Sequence, residues 1–134
     1  MKALELINIG SNKLRMNSIK SFILDSEILL SKTLNKKREE VLVDLNQKVE
    51  NIKILEFFKY IDRRASNEPI AYIIQQKEFW SKNFEVNNKT LIPRPETELM
   101  LEKLINIYKK KSINILDIGT GSGCIILSLL SELK

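Results

Sequence analysis

From Met1 to Ser66 the chain carries one glycine, Gly10, and no proline. A stretch of that length without breakers, in which apolar residues recur at three- and four-residue spacing, folds as amphipathic helices. Four are predicted. The first covers about Lys2 to Leu14 with Leu4, Ile7 and Leu14 on its apolar side. The second, Ser18 to Leu34, carries Phe22, Ile23, Ile28, Leu29 and Leu30, with Asp25 and Glu27 facing out. A short third segment, Lys37 to Val43, turns Val41 and Leu42 inward, and the fourth, about Gln47 to Ala65, repeats Ile52, Leu55, Phe58 and Ile61. Asp44 followed by Gln47 reads as its N-terminal cap. Small helices joined by short turns pack as a bundle.

After Asn67 the pattern changes. Pro69 opens EPIAYIIQQKEFWSKNFEVNN, where aromatic and β-branched residues alternate loosely with polar ones, and the spacing predicts a hairpin of about Ile73–Trp80 with Phe84–Val86. In LIPRPETE, Pro93 and Pro95 hold Leu91 to Arg94 extended, and Pro95 stands where a first helical residue is tolerated. Glu96 and Glu98 complement the positive end of the helix that follows. Its predicted buried face is Met100, Leu101, Leu104, Ile107 and Tyr108, and Lys109–Lys111 stop it.

Ile113 to Asp117 (INILD) is a short apolar run ending in an acid, followed by Gly119, Gly121 and Gly123 and then by helical spacing from Cys124 to Leu133. Strand, glycine loop and helix open a doubly wound α/β fold, in which ligands bind beyond the carboxyl ends of the strands. The dinucleotide fingerprint needs its third glycine where this chain has Cys124, and the Gly-Lys-Ser/Thr of a phosphate loop is absent. Asp117 would repel phosphate but suits a cation such as an ammonium or a sulfonium. S-adenosylmethionine carries both, and its carboxylate can accept hydrogen bonds from loop and helix N–H groups. Methyl transfer from a sulfonium is a matter of alignment and needs no histidine base. The plainer alternative is a tight turn before a packed helix.

Composition removes other chemistries. With no histidine and one cysteine, Cys124, the chain builds neither a Ser-His-Asp nor a Cys-His pair, no zinc cluster and no disulfide framework, so no metal site is expected. The longest apolar run, CIILSLL, is far shorter than the roughly 20 residues of a membrane span. Glu5 interrupts any export signal, so a cytoplasmic protein is expected. Net charge is +5, and residues 1–65 hold 13 basic and 9 acidic side chains against 9 and 8 in the remainder. That excess would steer an acidic partner, or simply solvate a helical surface.

Taken together, Arg63-Arg64 with Glu68-Pro69-Ile70-Ala71, Glu78-Phe79-Trp80, Phe84-Glu85-Val86, LIPRPETE (Leu91 to Glu98) and ILDIGTGSG (Ile115 to Gly123) resemble the release-factor glutamine N5-methyltransferases, the HemK-type family. Asp25 to Leu30 (DSEILL) is similar to that family's first helical region. The resemblance implies a helical bundle domain over 1–66 that recognises a peptide chain release factor, a β-hairpin linker over 67–94, and over 95–134 the truncated start of a Rossmann-like α/β methyltransferase domain. It implies that Asp117, Gly119, Thr120, Gly121, Ser122 and Gly123 hold the methionine part of S-adenosylmethionine. Arg94 and Thr97 would border the substrate cleft, where the glutamine of a Gly-Gly-Gln tip is methylated; a helix cap and a surface salt link are their plainer roles.

The family's catalytic Asn-Pro-Pro-Tyr and the acid that ends its second strand do not occur in these 134 residues. The expectation is therefore the N-terminal part of an enzyme, inactive alone, whose last strand and helix stay mobile or pack on another chain. Two other readings stand beside it. One is a non-catalytic helical module that binds a release factor or ribosomal partner. The other is a methyltransferase of nucleic acid, suggested by the basic charge, although direct nucleic-acid binding is not expected from LIPRPETE.

Overall fold

The computed structural model describes residues 1–109 and 111–133. The chain forms two compact units, Met1–Ile74 and Gln75–Lys134. The first contains α1 (Ala3–Met16), α2 (Phe22–Leu34), α3 (Arg38–Val43), α4 (Asn51–Ala65) and a short α5 (Ile70–Ile74). The four predicted helices are present, and α5 is an addition. It takes Ile73 out of the predicted hairpin strand. Pro69 accepts from the N–H groups of Tyr72 and Ile73, and Ile73 then joins the buried core of the bundle. Tertiary burial here overrides a β-branched local pattern.

Three of these helices end in the same way. Ser18, Asn35 and Asn67 adopt left-handed backbone, with φ of 61°, 52° and 64°. The following N–H reaches back five residues in each case: Ile19 to Leu14, Lys36 to Ser31 and Glu68 to Arg63. Asparagine tolerates this conformation, and the bond satisfies a carbonyl that the helix leaves open. The cap expected from Asp44 and Gln47 falls elsewhere. Asp44 closes α3, and the side-chain amide of Gln47 donates to its carbonyl at 2.9 Å, while α4 begins after Glu50.

The core of this unit lies among α1, α2 and α4, where Leu6, Leu14, Leu29, Leu30, Phe57 and Ile61 are fully buried. Gly10 allows their close approach. A Cβ there would sit 2.6 Å from Ser26 Oγ and 2.8 Å from the Phe57 ring. Ser26 in turn donates to the Ile7 carbonyl at 3.0 Å, fixing α2 against α1.

Three predicted faces need correction. Leu4 and Ile23 are exposed, and on α4 Ile52 and Leu55 point to solvent while Phe57 and Ile61 pack inward. Asp25 does not face out. It is 3% exposed, and its Oδ2 accepts from Arg64 Nε of α4 at 2.7 Å. Arg64 also donates to the Glu68 carbonyl, so one guanidinium joins α2, α4 and the turn before α5. Glu27 is drawn into a similar pair with Arg38 of α3.

The second unit contains β1 (Gln76–Phe79), β2 (Lys82–Glu85), α6 (Glu96–Tyr108) and α7 (Cys124–Glu132). β1 and β2 are antiparallel, with Gln76 opposite Glu85 and Phe79 opposite Lys82. The hairpin is thus shorter than predicted. Phe79 and Phe84 pack edge to face and join Leu101, Ile105, Cys124 and Leu129 in one buried cluster. Of the predicted inner face of α6, Leu101 is buried, whereas Met100 and Ile107 are exposed and Ile105 takes their place. Of the lysines predicted to stop α6, Lys110 lies outside the described residues.

Ile113–Asp117 forms no strand ladder among the described residues, and Leu116 and Ile118 are 84% and 86% exposed. A ladder needs a neighbour, and the two strands present pair with each other. The predicted strand is therefore an open segment. α7 likewise buries Cys124, Ser128 and Leu129 but exposes Leu127 and Leu130.

Candidate functional site: a glycine bend ahead of a helix

Gly119, Gly121 and Gly123 all lie in the left-handed region, with φ of 78°, 58° and 79°. A side chain at any of the three would strain the backbone, which is the physical reason for glycine at alternate positions here. Gly123 caps α7, and its N–H donates to the Thr120 carbonyl at 2.9 Å. The Thr120 hydroxyl reaches back to the Asp117 carbonyl at 3.2 Å. Asp117, Thr120 and Gly123 thus close one bend. The first intrahelical bond of α7 runs from Leu127 to Gly123, so the N–H groups ahead of it form the positive end of the helix.

Two polar atoms of the bend are buried without a partner among the described residues: Oδ2 of Asp117 and Oγ of Ser122. A carboxylate oxygen in that state is an unused acceptor, and it suits a cationic donor. Nothing lies within 4 Å of a Cβ placed on Gly119, so the bend is open on that side. An unused carboxylate oxygen, the N–H groups at the start of α7 and the open side of Gly119 fit a ligand that carries both an ammonium and a carboxylate. Among the described residues no cluster of three potential metal ligands occurs.

Arg94 and Thr97 are placed differently. Arg94 is exposed, and its carbonyl accepts from the Thr97 N–H at 3.0 Å in the turn that starts α6. No hydrogen bond links either side chain to the glycine bend. Two grooves along the open segment also stay clear of the bend. One, of about 690 Å³, runs past Ile113, Ile115, Ile126 and Leu130; the other, of about 440 Å³, runs past Leu104, Leu116 and Leu129.

Sequence reasoning missed Glu98. Rather than serving the dipole of α6 alone, its Oε1 accepts from the backbone N–H of Trp80 at 2.8 Å. The hint was Trp80-Ser81, a two-residue turn without the glycine such a turn usually demands.

The chain is a helical bundle followed by a second unit that carries a glycine bend ahead of a helix. Residues 5–74 match the family described as the PrmC N-terminal domain, and the chain belongs to that family. Similar curated proteins include a release factor glutamine methyltransferase of Buchnera aphidicola subsp. Baizongia pistaciae, 43% identical over 98% of this chain and 48% of its own length. Another of that name, from Nitratidesulfovibrio vulgaris, is 39% identical over 81% of this chain and 37% of its own. A bifunctional methyltransferase of Rickettsia typhi is 38% identical over 96% of this chain and 29% of its own. The chain spans 29% to 48% of the length of these relatives. No helix among the described residues is long and apolar enough to cross a membrane.

Proposed function

We propose that this chain is the N-terminal part of an S-adenosylmethionine-dependent enzyme that methylates the side-chain nitrogen of the glutamine in a release factor's Gly-Gly-Gln motif. The observation that carries the reading is similarity along nearly the whole chain to proteins named for release factor glutamine methylation. In this reading the helical bundle, which extends past the expected boundary at residue 66 to Ile74, recognises the factor, the hairpin and linker follow, and 95–134 begin a Rossmann-like catalytic domain working in the cytoplasm. Ile113–Asp117 becomes an inner strand of its sheet, which accounts for an apolar segment with both sides open.

Asp117 holds the ammonium of the methionine part through its unused Oδ2, and the glycine bend admits the backbone close to it. The N–H groups at the start of α7 receive the carboxylate. Ser122 adds a hydroxyl that has no other partner among the described residues. S-adenosylmethionine supplies an electrophilic methyl group. Arg94, exposed and unpaired with any described carboxylate, faces the factor. The groups that would orient a weakly nucleophilic amide are not among these 134 residues, so the isolated chain transfers no methyl group.

Calorimetry on the chain tests this. Release factor binding is expected, together with S-adenosylmethionine binding that Asp117→Asn weakens. Factor binding with no cofactor binding favours instead a helical binding module in which the bend is vestigial. Methylation of a release factor by the purified chain would refute the inactivity. The open segment and the exposed side of α7 also favour self-association, to be read by sedimentation.

A further inference from the structure

The hairpin turn in the second unit holds two successive strained residues that no ligand reading uses. Trp80 and Ser81 both adopt left-handed conformation, with φ of 51° and 54°, and neither is glycine or asparagine. A turn of this kind matches the twist of a hairpin, but side chains other than glycine, asparagine and aspartate adopt it reluctantly. Something outside the turn must hold it. Three hydrogen bonds leave its tip. The Trp80 backbone N–H goes to Glu98 Oε1 at 2.8 Å, the Trp80 indole N–H to Glu132 Oε1 at 3.0 Å, and Lys82 Nζ to Ser131 Oγ at 2.8 Å. The first lands in the opening turn of α6 and the other two in the last turn of α7.

We propose that Glu98 is a positioning residue: its carboxylate clasps the Trp80 N–H, holds the Trp80–Ser81 turn in its left-handed form, and so fastens the hairpin to α6 and α7 together. The inference divides the LIPRPETE segment by task. Glu98 is committed to the hairpin, whereas Arg94, four residues earlier, makes no ion pair with a described residue. A bond from a neutral N–H to a carboxylate is about twice as strong as one between neutral groups, which suits a residue that offsets strain. The indole reaches α7 only while the turn keeps its shape, so loss of the Glu98 contact also frees Trp80 from Glu132.

Trp80 is the one tryptophan of the chain and reports on its own surroundings. The test is hydrogen exchange by NMR at the Trp80 amide and indole in the 134-residue chain, with no cofactor or factor present, so its failure is separate from that of the proposed activity. Glu98→Ala removes a hydrogen bond to a charged group and should speed Trp80 amide exchange about tenfold or more. The indole should follow, while protection in α1 and α4 stays at the parent level. Glu98→Gln, whose amide oxygen occupies the same place, should recover most of the protection. Adding Ser81→Gly to Glu98→Ala should recover indole protection, because glycine takes the turn without help. Unchanged Trp80 exchange in Glu98→Ala would overturn the clasp. If Glu98→Ala does not fold, Glu98→Gln must keep parent-like exchange at Trp80 or the proposal fails. Absence of rescue by Ser81→Gly would overturn the role in offsetting strain.

Discussion

The two units use similar apolar content to opposite ends. In Met1–Ile74, three long helices close on themselves around Leu6, Leu14, Leu29, Leu30, Phe57 and Ile61. Their one buried acid meets a guanidinium. In Gln75–Lys134 a smaller cluster is buried, while Leu116, Ile118, Leu127 and Leu130 face outward and the Asp117 carboxylate keeps an idle oxygen. A closed core whose buried acid is paired marks a region whose folding is its own business. An open apolar edge beside an unused acceptor marks one shaped for something else.

The sharpest way to break this contrast is at the buried pair. Arg64→Ala leaves the Asp25 carboxylate without its partner and should destabilise the first unit by about 3–5 kcal/mol, read from urea unfolding. A loss below 1 kcal/mol would mean that the pair is hydrated and the core less closed than described. Next in size is Gly10→Ala. Helix propensity favours alanine by about 1 kcal/mol, but the clash with Ser26 and Phe57 costs about 1–3 kcal/mol, so a net loss is expected. A stabilised variant would show that α1 can shift.

A smaller effect follows acidification. The hydrogen bond from Arg63 holds the Glu68 carboxyl below its ordinary range, against a lesser opposing effect of burial. A lowered carboxylate pKa contributes stability above its unfolded value, lost as pH falls through the folded one. The pair is partly exposed, so solvent screening limits it to about 1 kcal/mol or less. Stability at pH 3 relative to pH 7 should fall less in Glu68→Gln than in the parent. The smallest change belongs to the open segment. Leu116→Ala, at a residue 84% exposed, should shift stability by no more than about 0.5 kcal/mol. A larger loss would show that the segment is covered.

Much of this was legible in the sequence, and the misses have physical causes. The absence of glycine and proline over residues 11–66 gave the helices, and the alternate glycines from 119 to 123 gave the bend, because both depend on local backbone freedom. The phase of α4 was not legible. Ile52, Leu55 and Phe58 make as good a stripe as Ile54, Phe57 and Ile61, and the choice is made by what packs opposite: Phe57 and Ile61 close on Gly10 of α1. Local pattern alone puts Asp25 outside, because its partner lies 39 residues away. Ile113–Asp117 was read as a strand from its composition, but pairing belongs to the neighbour as much as to the segment.

The entry of the chain into α1 carries a kinetic consequence. Val49 donates to the Met1 carbonyl at 3.0 Å, Ala3 to Gln47 and Leu4 to Leu45, and Lys2 bridges Lys48. Residues 1–4 are therefore finished only by ones made more than forty positions later. During synthesis this bundle cannot consolidate helix by helix. It must wait, open, until the stretch before α4 and then α4 itself have left the ribosome, a delay that purely local helical contacts would have avoided.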